Sequence, residues 1–228
     1  YILDQLPEHG SVIYLGRGWM EGWAPPQWLA TLAEHPRVLH VFAENPSMRH
    51  ARVTAMPIGV DPVFLQPPSG PALREIVATV RLEDKIVDRL VGGWALRGPV
   101  RRAAKLALAG KPWFEWISTA YAGPYGIRQV EYWRIVSRYA FMLSPPAAYK
   151  GASPHGPVGD MDSYRTYEAF FFKMIPILWE GRNSWAWEGL PVVTVRNWSD
   201  ITPSNMRRWW SEKRHLLEGD QPYLRSAF

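Results

Sequence analysis

The stretch that decides the fold is Tyr139-Ala140-Phe141-Met142-Leu143-Ser144-Pro145-Pro146, an apolar run that ends at Ser-Pro-Pro. A short apolar run that stops at a proline pair is typical of a buried strand rather than a helix. A long loop rich in Pro and Gly follows from Pro145 to Gly159, and helical spacing returns over residues 163–172. The stretch therefore predicts a strand over 139–143, a loop at its carboxyl end, and a helix over 163–172.

The same alternation of short apolar runs and helical spacing extends through the rest of the chain. Strands that alternate with helices predict parallel pairing, with helices covering both faces of the sheet. The fold class expected is therefore α/β and Rossmann-like. The predicted strands are 11–15, 38–42, 52–56, 86–94, 113–117, 139–143, 175–178 and 190–195, and the predicted helices are 27–35, 72–80, 99–108, 128–138 and 163–172.

The most linker-like segment is Gln66-Pro67-Pro68-Ser69-Gly70-Pro71. It predicts a boundary between a short or partial N-terminal α/β domain over 1–70 and a C-terminal Rossmann-like domain over 71–228. The sequence begins with Tyr1 and stops at Phe228 without a helix-stop signal, so we expect sequence to be missing at one or both ends.

Composition excludes several classes of protein. The 228 residues are 47% hydrophobic and include 13 Trp, which excludes a disordered chain. The absence of cysteine excludes disulfides, thiolate metal sites and a cysteine nucleophile. No apolar run approaches the roughly 20 residues of a membrane-spanning helix. The net charge of +5 favours an anionic ligand without choosing among phosphate, nucleic acid and a membrane surface.

The loop after residue 143 is the first place to look for a site, because ligands of open parallel sheets bind at the carboxyl ends of the strands. It leads into a helix that bears Arg165 and Glu168. Backbone N–H groups at a helix N-terminus favour a phosphate, and Arg165 could add a bidentate contact. Glu168 lies on the same helical face, where its carboxylate could accept hydrogen bonds from ribose or sugar hydroxyls. The alternative is that Asp162 or Ser163 only caps the helix, while Arg165 and Glu168 form a solvated pair.

Five segments occur here in an order that resembles the exostosin-like glycosyltransferases, most strongly over residues 141–202. A strand that ends in Ser-Pro is followed by a glycine loop with an Asp-x-x-Arg-x-x-Glu helix, an Ile-Pro-Ile strand, a Leu-Pro-Val strand and a Trp-Ser motif. A Pro-Ile-Gly-Val-Asp segment at 57–61 resembles the end of the family's N-terminal half. The five segments are Phe141 to Pro145, Gly159 to Phe170, Met174 to Ile177, Leu190 to Val193 and Trp198 to Thr202.

The resemblance implies a GT-B architecture, with two Rossmann-like domains facing a cleft. It implies a glycosyltransferase that moves a sugar from a nucleoside diphosphate sugar to a glycan or other hydroxyl acceptor, without a metal or other cofactor. Arg165 would hold the diphosphate, Glu168 the ribose or sugar, and Ser144, Gly159 and Asp162 would shape the loop. A competing hypothesis is a non-catalytic carbohydrate- or nucleotide-binding module of the same fold. For a eukaryotic chain the resemblance implies the Golgi lumen, with the targeting segment outside this sequence.

Other signals are weaker. Asp160-Met161-Asp162 matches the Asp-x-Asp of metal-dependent sugar transferases, but a triplet this short occurs by chance, and we expect no metal. Basic residues outnumber acidic ones over 97–150, yet solvated helix faces or a diphosphate cleft explain that band as well as nucleic acid does, and we expect no nucleic-acid partner.

Two sets of residues complete the expectations. The tryptophans predicted as exposed platforms for sugar rings are Trp185, Trp187, Trp209 and Trp210, whereas packing is expected for Trp113, Trp116, Trp133 and Trp198. An acceptor-activating base would come from the N-terminal part and stays unassigned among Asp4, Glu8, Glu21, Glu34 and Glu44.

Overall fold

The computed structural model of the chain describes residues 3–16, 26–94, 99–117, 126–146, 163–181 and 183–219. These residues form two sheets whose strands are all parallel, one of three strands and one of five. The mixed α/β class with parallel sheets is confirmed and is consistent with a Rossmann-like fold. The strands are β1 (Ser11–Leu15), β2 (Val38–Glu44), β3 (Val53–Met56), β4 (Ile86–Gly92), β5 (Phe114–Trp116), β6 (Tyr139–Leu143), β7 (Ile175–Trp179) and β8 (Val193–Val195). The helices are α1 (Pro26–Glu34), α2 (Pro62–Leu65), α3 (Ser69–Thr79), α4 (Pro99–Leu108), α5 (Gly126–Val136), α6 (Tyr164–Phe171) and α7 (Pro203–Lys213).

The five-stranded sheet has the order β5-β4-β6-β7-β8, with β6 at its centre. All five residues of β6 are buried, which is why its sequence is continuously apolar rather than alternating. Its side chains divide between two cores. Met142 packs with α3, α5 and α6 on one face, and Phe141 packs with α4 and α7 on the other. Helices therefore cover both faces of this sheet, as predicted.

The three-stranded sheet has the order β1-β2-β3 and packs one face against α1. Leu29 and Leu32 of α1 are buried there against Val41 of β2. Within the described residues the opposite face is open, because Val12 and Tyr14 of β1 are each 59% exposed. The sequence predicted that helices cover both faces of the sheet. For this sheet, the described residues show one covered face only.

Helix α3 begins at Ser69, inside the segment that the sequence indicates as a linker. Ser69 and Gly70 are buried, and a Cβ added at Gly70 would lie 2.0 Å from the Leu65 carbonyl oxygen. Only glycine fits so close to the end of α2, so residues 69–71 serve helix packing rather than a free linker. The division into domains at 70 and 71 stays a prediction.

Other boundaries differ from prediction by a few residues. Strand β4 ends at Gly92 and not at residue 94, and β8 begins at Val193 and not at residue 190. The second difference follows from Pro191, which has no N–H for a sheet hydrogen bond, and from Leu190, whose N–H bonds back to the Trp187 carbonyl in a turn. Within the described ranges, no helix combines the length and the apolar character needed to cross a membrane.

Candidate functional site

The five-stranded sheet has one point where its strand order reverses, between β4 and β6. From β4 the chain moves outward to β5 on one side, then returns to β6 and continues to β7 and β8 on the other. In doubly wound sheets the crevice outside the carboxyl ends at this switch point is the usual ligand site. Gly93 follows β4 there and Ser144 follows β6, so these residues define the switch-point crevice.

Helix α6 begins beside this crevice. Ser163 is its N-cap, in an extended conformation, and the Ser163 Oγ accepts a hydrogen bond from the backbone N–H of Arg165 at 3.4 Å. The adjoining Thr166 Oγ1 lies 3.1 Å from the Ser144 Oγ, and both side chains are buried. The backbone N–H of Ser144 also donates to the Ile177 carbonyl of β7 at 3.0 Å. Ser144 therefore links the first turn of α6 to the carboxyl ends of β6 and β7.

Arg165 and Glu168 form a buried ion pair. The Arg165 Nη1 donates to the Glu168 Oε2, and the Arg165 Nε donates to the Gly93 carbonyl oxygen at 3.3 Å. The Glu168 side chain is 1% exposed and that of Arg165 is 14% exposed. The sequence placed both residues on one helical face and offered a pair between them only as the alternative, a solvated one; the pair forms, but it is buried and not solvated. Arg165 is the member of the pair that reaches the crevice surface.

Two residues of α5 support this pair, and sequence reasoning missed both. The Gln129 Nε2 donates to the Glu168 Oε1 at 3.4 Å, and the Arg165 Cζ lies 4.5 Å from the centre of the Tyr132 ring. A guanidinium over an aromatic face is an attractive arrangement that strengthens away from water. Gln129 is 0% exposed and Tyr132 is 1% exposed. The one signal in the sequence that could have indicated a role for either residue was the polar Gln129 on the apolar side of the predicted helix.

The electrostatics of the cluster keep Arg165 charged. Burial is the largest single influence and lowers its pKa, but the Glu168 charge, the charge interaction with Tyr132 and the hydrogen bond to Glu168 together raise it further, and the net pKa lies above the usual arginine value. Burial raises the pKa of Tyr132 to about 12; the Arg165 charge opposes that rise and the Glu168 charge adds to it. At neutral pH the crevice therefore presents a fixed cation beside a neutral phenol.

Two buried polar atoms of the cluster have no hydrogen-bond partner among the described residues. They are the Tyr132 hydroxyl and the Gln129 Oε1. Buried polar atoms are nearly always satisfied, by protein, water or ligand. The buried cluster around Arg165 and Glu168 thus retains hydrogen-bonding capacity that the described residues do not use.

Gly93 is fitted to its position by close packing. A Cβ added there would lie 2.6 Å from the Ile117 carbonyl oxygen and 3.3 Å from the Tyr132 Cε2. Since the first contact is with backbone, no side-chain movement could relieve it. The crevice therefore depends on a glycine just after β4 ends, in the Gly92-Gly93 pair.

Of the five predicted site residues, the structure brings Ser144, Arg165 and Glu168 together at the switch point. Gly159 and Asp162 lie outside the described residues, as does the Asp160-Met161-Asp162 triplet. Among the residues that are described, no three His, Asp or Glu side chains lie close enough together to hold a metal ion.

A second concavity, of about 290 Å³, lies between the two sheets and is named here the inter-sheet cavity. It is bordered by the carboxyl ends of β2 and β3 on one side and by α6 and the short helical turn at Ser184–Trp187 on the other. Asn183 is buried and donates to the Asn45 Oδ1 at 3.4 Å, and Arg49 pairs with Glu188 at 3.1 Å. The residues that shape it are Asn45, Met56, Tyr167, Phe170, Asn183 and Trp187.

The predicted tryptophan platforms divide into two groups. Trp187 is half-buried at the inter-sheet cavity, and Trp185 is half-buried near the Arg49 guanidinium, 5.9 Å from it. Trp209 and Trp210 are each 8% exposed, with ring centres 6.5 and 6.2 Å from that of Phe141. The exposed-platform prediction is wrong for Trp209 and Trp210, because α7 turns both rings onto the sheet.

The architecture defines an α/β protein with parallel sheets and a polar crevice at a topological switch point. No protein-family model matches the chain, and no curated protein matches its sequence.

Proposed function

We propose that this chain is a glycosyltransferase that takes a sugar from a nucleoside diphosphate donor, with the diphosphate bound in the switch-point crevice. One observation carries the proposal. Arg165 stands in the first turn of α6, at the carboxyl ends of β4 and β6, with its guanidinium oriented by Glu168 and by the Gly93 carbonyl. A positioned guanidinium beside a helix N-terminus is an arrangement suited to phosphate.

The same arrangement supports a mechanism. Transfer leaves negative charge on the departing diphosphate, and preorganised donors in a partly dry site stabilise such charge most effectively. Arg165 is buried enough to act with little screening, and its orientation is fixed before ligand binds. Glu168 is buried and paired, so its proposed role is to position Arg165; direct contact with the ribose requires the pair to open. The chemistry needs no metal under this proposal.

The inter-sheet cavity is the proposed acceptor side. Its walls combine aromatic faces, from Tyr167 and Trp187, with the amides of Asn45 and Asn183. Aromatic faces together with amide groups suit a sugar ring, which has apolar faces and hydroxyl edges. Among the candidate bases, Glu44 precedes Asn45 at the end of β2, and its Oε1 accepts a hydrogen bond from the Tyr14 hydroxyl at 2.9 Å.

The test is turnover with a panel of nucleoside diphosphate sugars and oligosaccharide acceptors, with and without EDTA. Release of nucleoside diphosphate that needs an acceptor and survives EDTA supports the proposal. Glu44→Gln then reports on the base, because a base at this position predicts lost turnover with unchanged nucleotide binding.

A chain that binds a nucleoside diphosphate but turns over no donor and acceptor pair would be the non-catalytic module instead. Within the described residues the N-terminal sheet has three strands and one open face, and this favours the second candidate, because an acceptor site needs more surrounding structure than these residues supply. A chain that binds no nucleoside diphosphate at all would be neither the proposed glycosyltransferase nor a nucleotide-binding module.

A further inference from the structure

A cavity of about 490 Å³ lies at the amino ends of β4 and β6, whereas the switch-point crevice lies at their carboxyl ends. It is named here the basal cavity. Its walls are the end of α3, the connection from α3 into β4, and the end of α5 with the turn into β6. The volume is within the range of small-molecule sites. The charged residues that face it are Glu75, Arg81, Asp84, Lys85, Arg134 and Arg138.

Two arginines come from the end of α5 and the turn after it. Arg134 lies in the last turn of α5, and Arg138 lies in the turn that leads into β6. Within the described residues neither forms an ion pair with a carboxylate. Both side chains line the same cavity.

Two further cations converge on the cavity from the segment before β4. Arg81 is exposed, and its Nη1 lies 3.9 Å from the Glu83 Oε1. Lys85 is 8% exposed, and its Nζ donates to the Ser137 carbonyl at 2.5 Å and to the Phe172 carbonyl. The four basic residues of the walls outnumber the two carboxylates of the walls together with Glu83, so the cavity favours an anion.

We propose that the basal cavity binds a small phosphorylated polyol, with the phosphate held by Arg134, Arg138 and Arg81. Guanidinium groups from two segments suit the several oxygens of a phosphate. The carboxylates of Glu75 and Asp84 line the same cavity and can accept hydrogen bonds from the hydroxyl groups of a polyol. A bare anion has no polyol hydroxyl groups to donate. This site is separate from the proposed donor site and does not depend on the proposed function.

The experiment is isothermal titration of the whole chain with glucose 6-phosphate, ribose 5-phosphate and glycerol 3-phosphate, and with inorganic phosphate at matched ionic strength. The test variant is Arg134→Gln with Arg138→Gln. The matched control is Arg74→Gln, an exposed arginine of α3 that does not line the cavity. Arg134 and Arg138 are exposed, so the test variant is expected to fold, and circular dichroism with thermal unfolding checks this for each variant.

The expected result is binding of at least one sugar or polyol phosphate more tightly than inorganic phosphate. Affinity should fall at least about tenfold in the double variant, the loss expected for a hydrogen-bonded charge contact, and stay unchanged in Arg74→Gln. Absence of binding by all three esters, or equal affinity in all variants, overturns the site. Equal affinity for inorganic phosphate overturns the polyol assignment.

Discussion

The buried pair of Arg165 and Glu168 makes a quantitative prediction. Glu168→Gln keeps the shape of the side chain but removes its charge, so the guanidinium loses the carboxylate to which it donates. The substitution leaves no cavity, and any loss of stability therefore reports on electrostatics. Gln129 and the Gly93 carbonyl stay in place beside the pair.

The magnitude follows from burial. Removing one partner of a buried ion pair costs about 3–5 kcal/mol, because the other charge is left without compensation. Since Arg165 retains 14% exposure, water screens it in part and the lower end, about 3 kcal/mol, is expected. For a chain of this size each kcal/mol lowers Tm by about 2–4 °C, so the expected fall is about 6–12 °C.

Thermal and urea unfolding of wild type, Glu168→Gln and Glu180→Gln provide the comparison. Glu180 forms a bidentate pair with Arg196 at 2.6 and 2.8 Å, but the Arg196 side chain is 82% exposed. Solvent screens that pair, so Glu180→Gln should leave Tm essentially unchanged. The reasoning is refuted if Glu168→Gln changes Tm no more than the exposed control does.

Three further predictions concern the surroundings of the crevice. Gly93→Ala places a methyl group against the Ile117 carbonyl and should lower the free energy of unfolding by about 1–3 kcal/mol in urea denaturation; an unchanged value would contradict the packing. Tyr132→Phe removes a buried hydroxyl that has no partner among the described residues, so it should leave stability unchanged or higher. Tyr132→Leu also removes the ring under Arg165 and should be less stable than Tyr132→Phe. Equal stability of the two variants in the same assay would exclude a role for the ring. Burial of Lys85 and, second, the charge of Lys173 lower the pKa of Lys85 to about 7. At pH values between about 7 and the ordinary lysine pKa, the unfolded chain therefore binds a proton that the folded chain does not bind. The free energy of unfolding should therefore rise by up to about 1.4 kcal/mol per pH unit in this window, and Lys85→Met should flatten the rise; an equal slope in both proteins would argue against it.

The sequence predicted the central strand closely because the determinants of that strand are local. The run 139–143 is apolar throughout and ends at Ser-Pro-Pro, and β6 has the same bounds. The Arg165 and Glu168 contact was equally local, since three residues on a helix bring side chains together. Sequence spacing could not show that the pair is buried, because the side chains that contact it, Gln129 and Tyr132, come from α5, far away along the chain.

The residues that were missed, or placed wrongly, depend on contacts far apart in the chain. Gln129 meets Glu168 across 39 residues, and nothing in the sequence near either one indicates the contact. Ser69 and Gly70 have the composition of a linker, yet their burial is set by the end of α2. Trp209 occurs in a strongly charged helix that favours exposure, but the packing against Phe141 decides its position.

Direct titration of the chain with UDP and GDP, by calorimetry in EDTA, tests the switch-point crevice most directly. The account predicts saturable binding of one of the two nucleotides by wild type, at least about tenfold weaker binding by Arg165→Lys, which keeps the charge but loses the planar fork, and unchanged binding by Arg196→Lys. Folding of each variant is confirmed by circular dichroism beforehand. Binding of neither nucleotide by wild type, or equal binding by Arg165→Lys, would contradict the assignment of this crevice to a diphosphate.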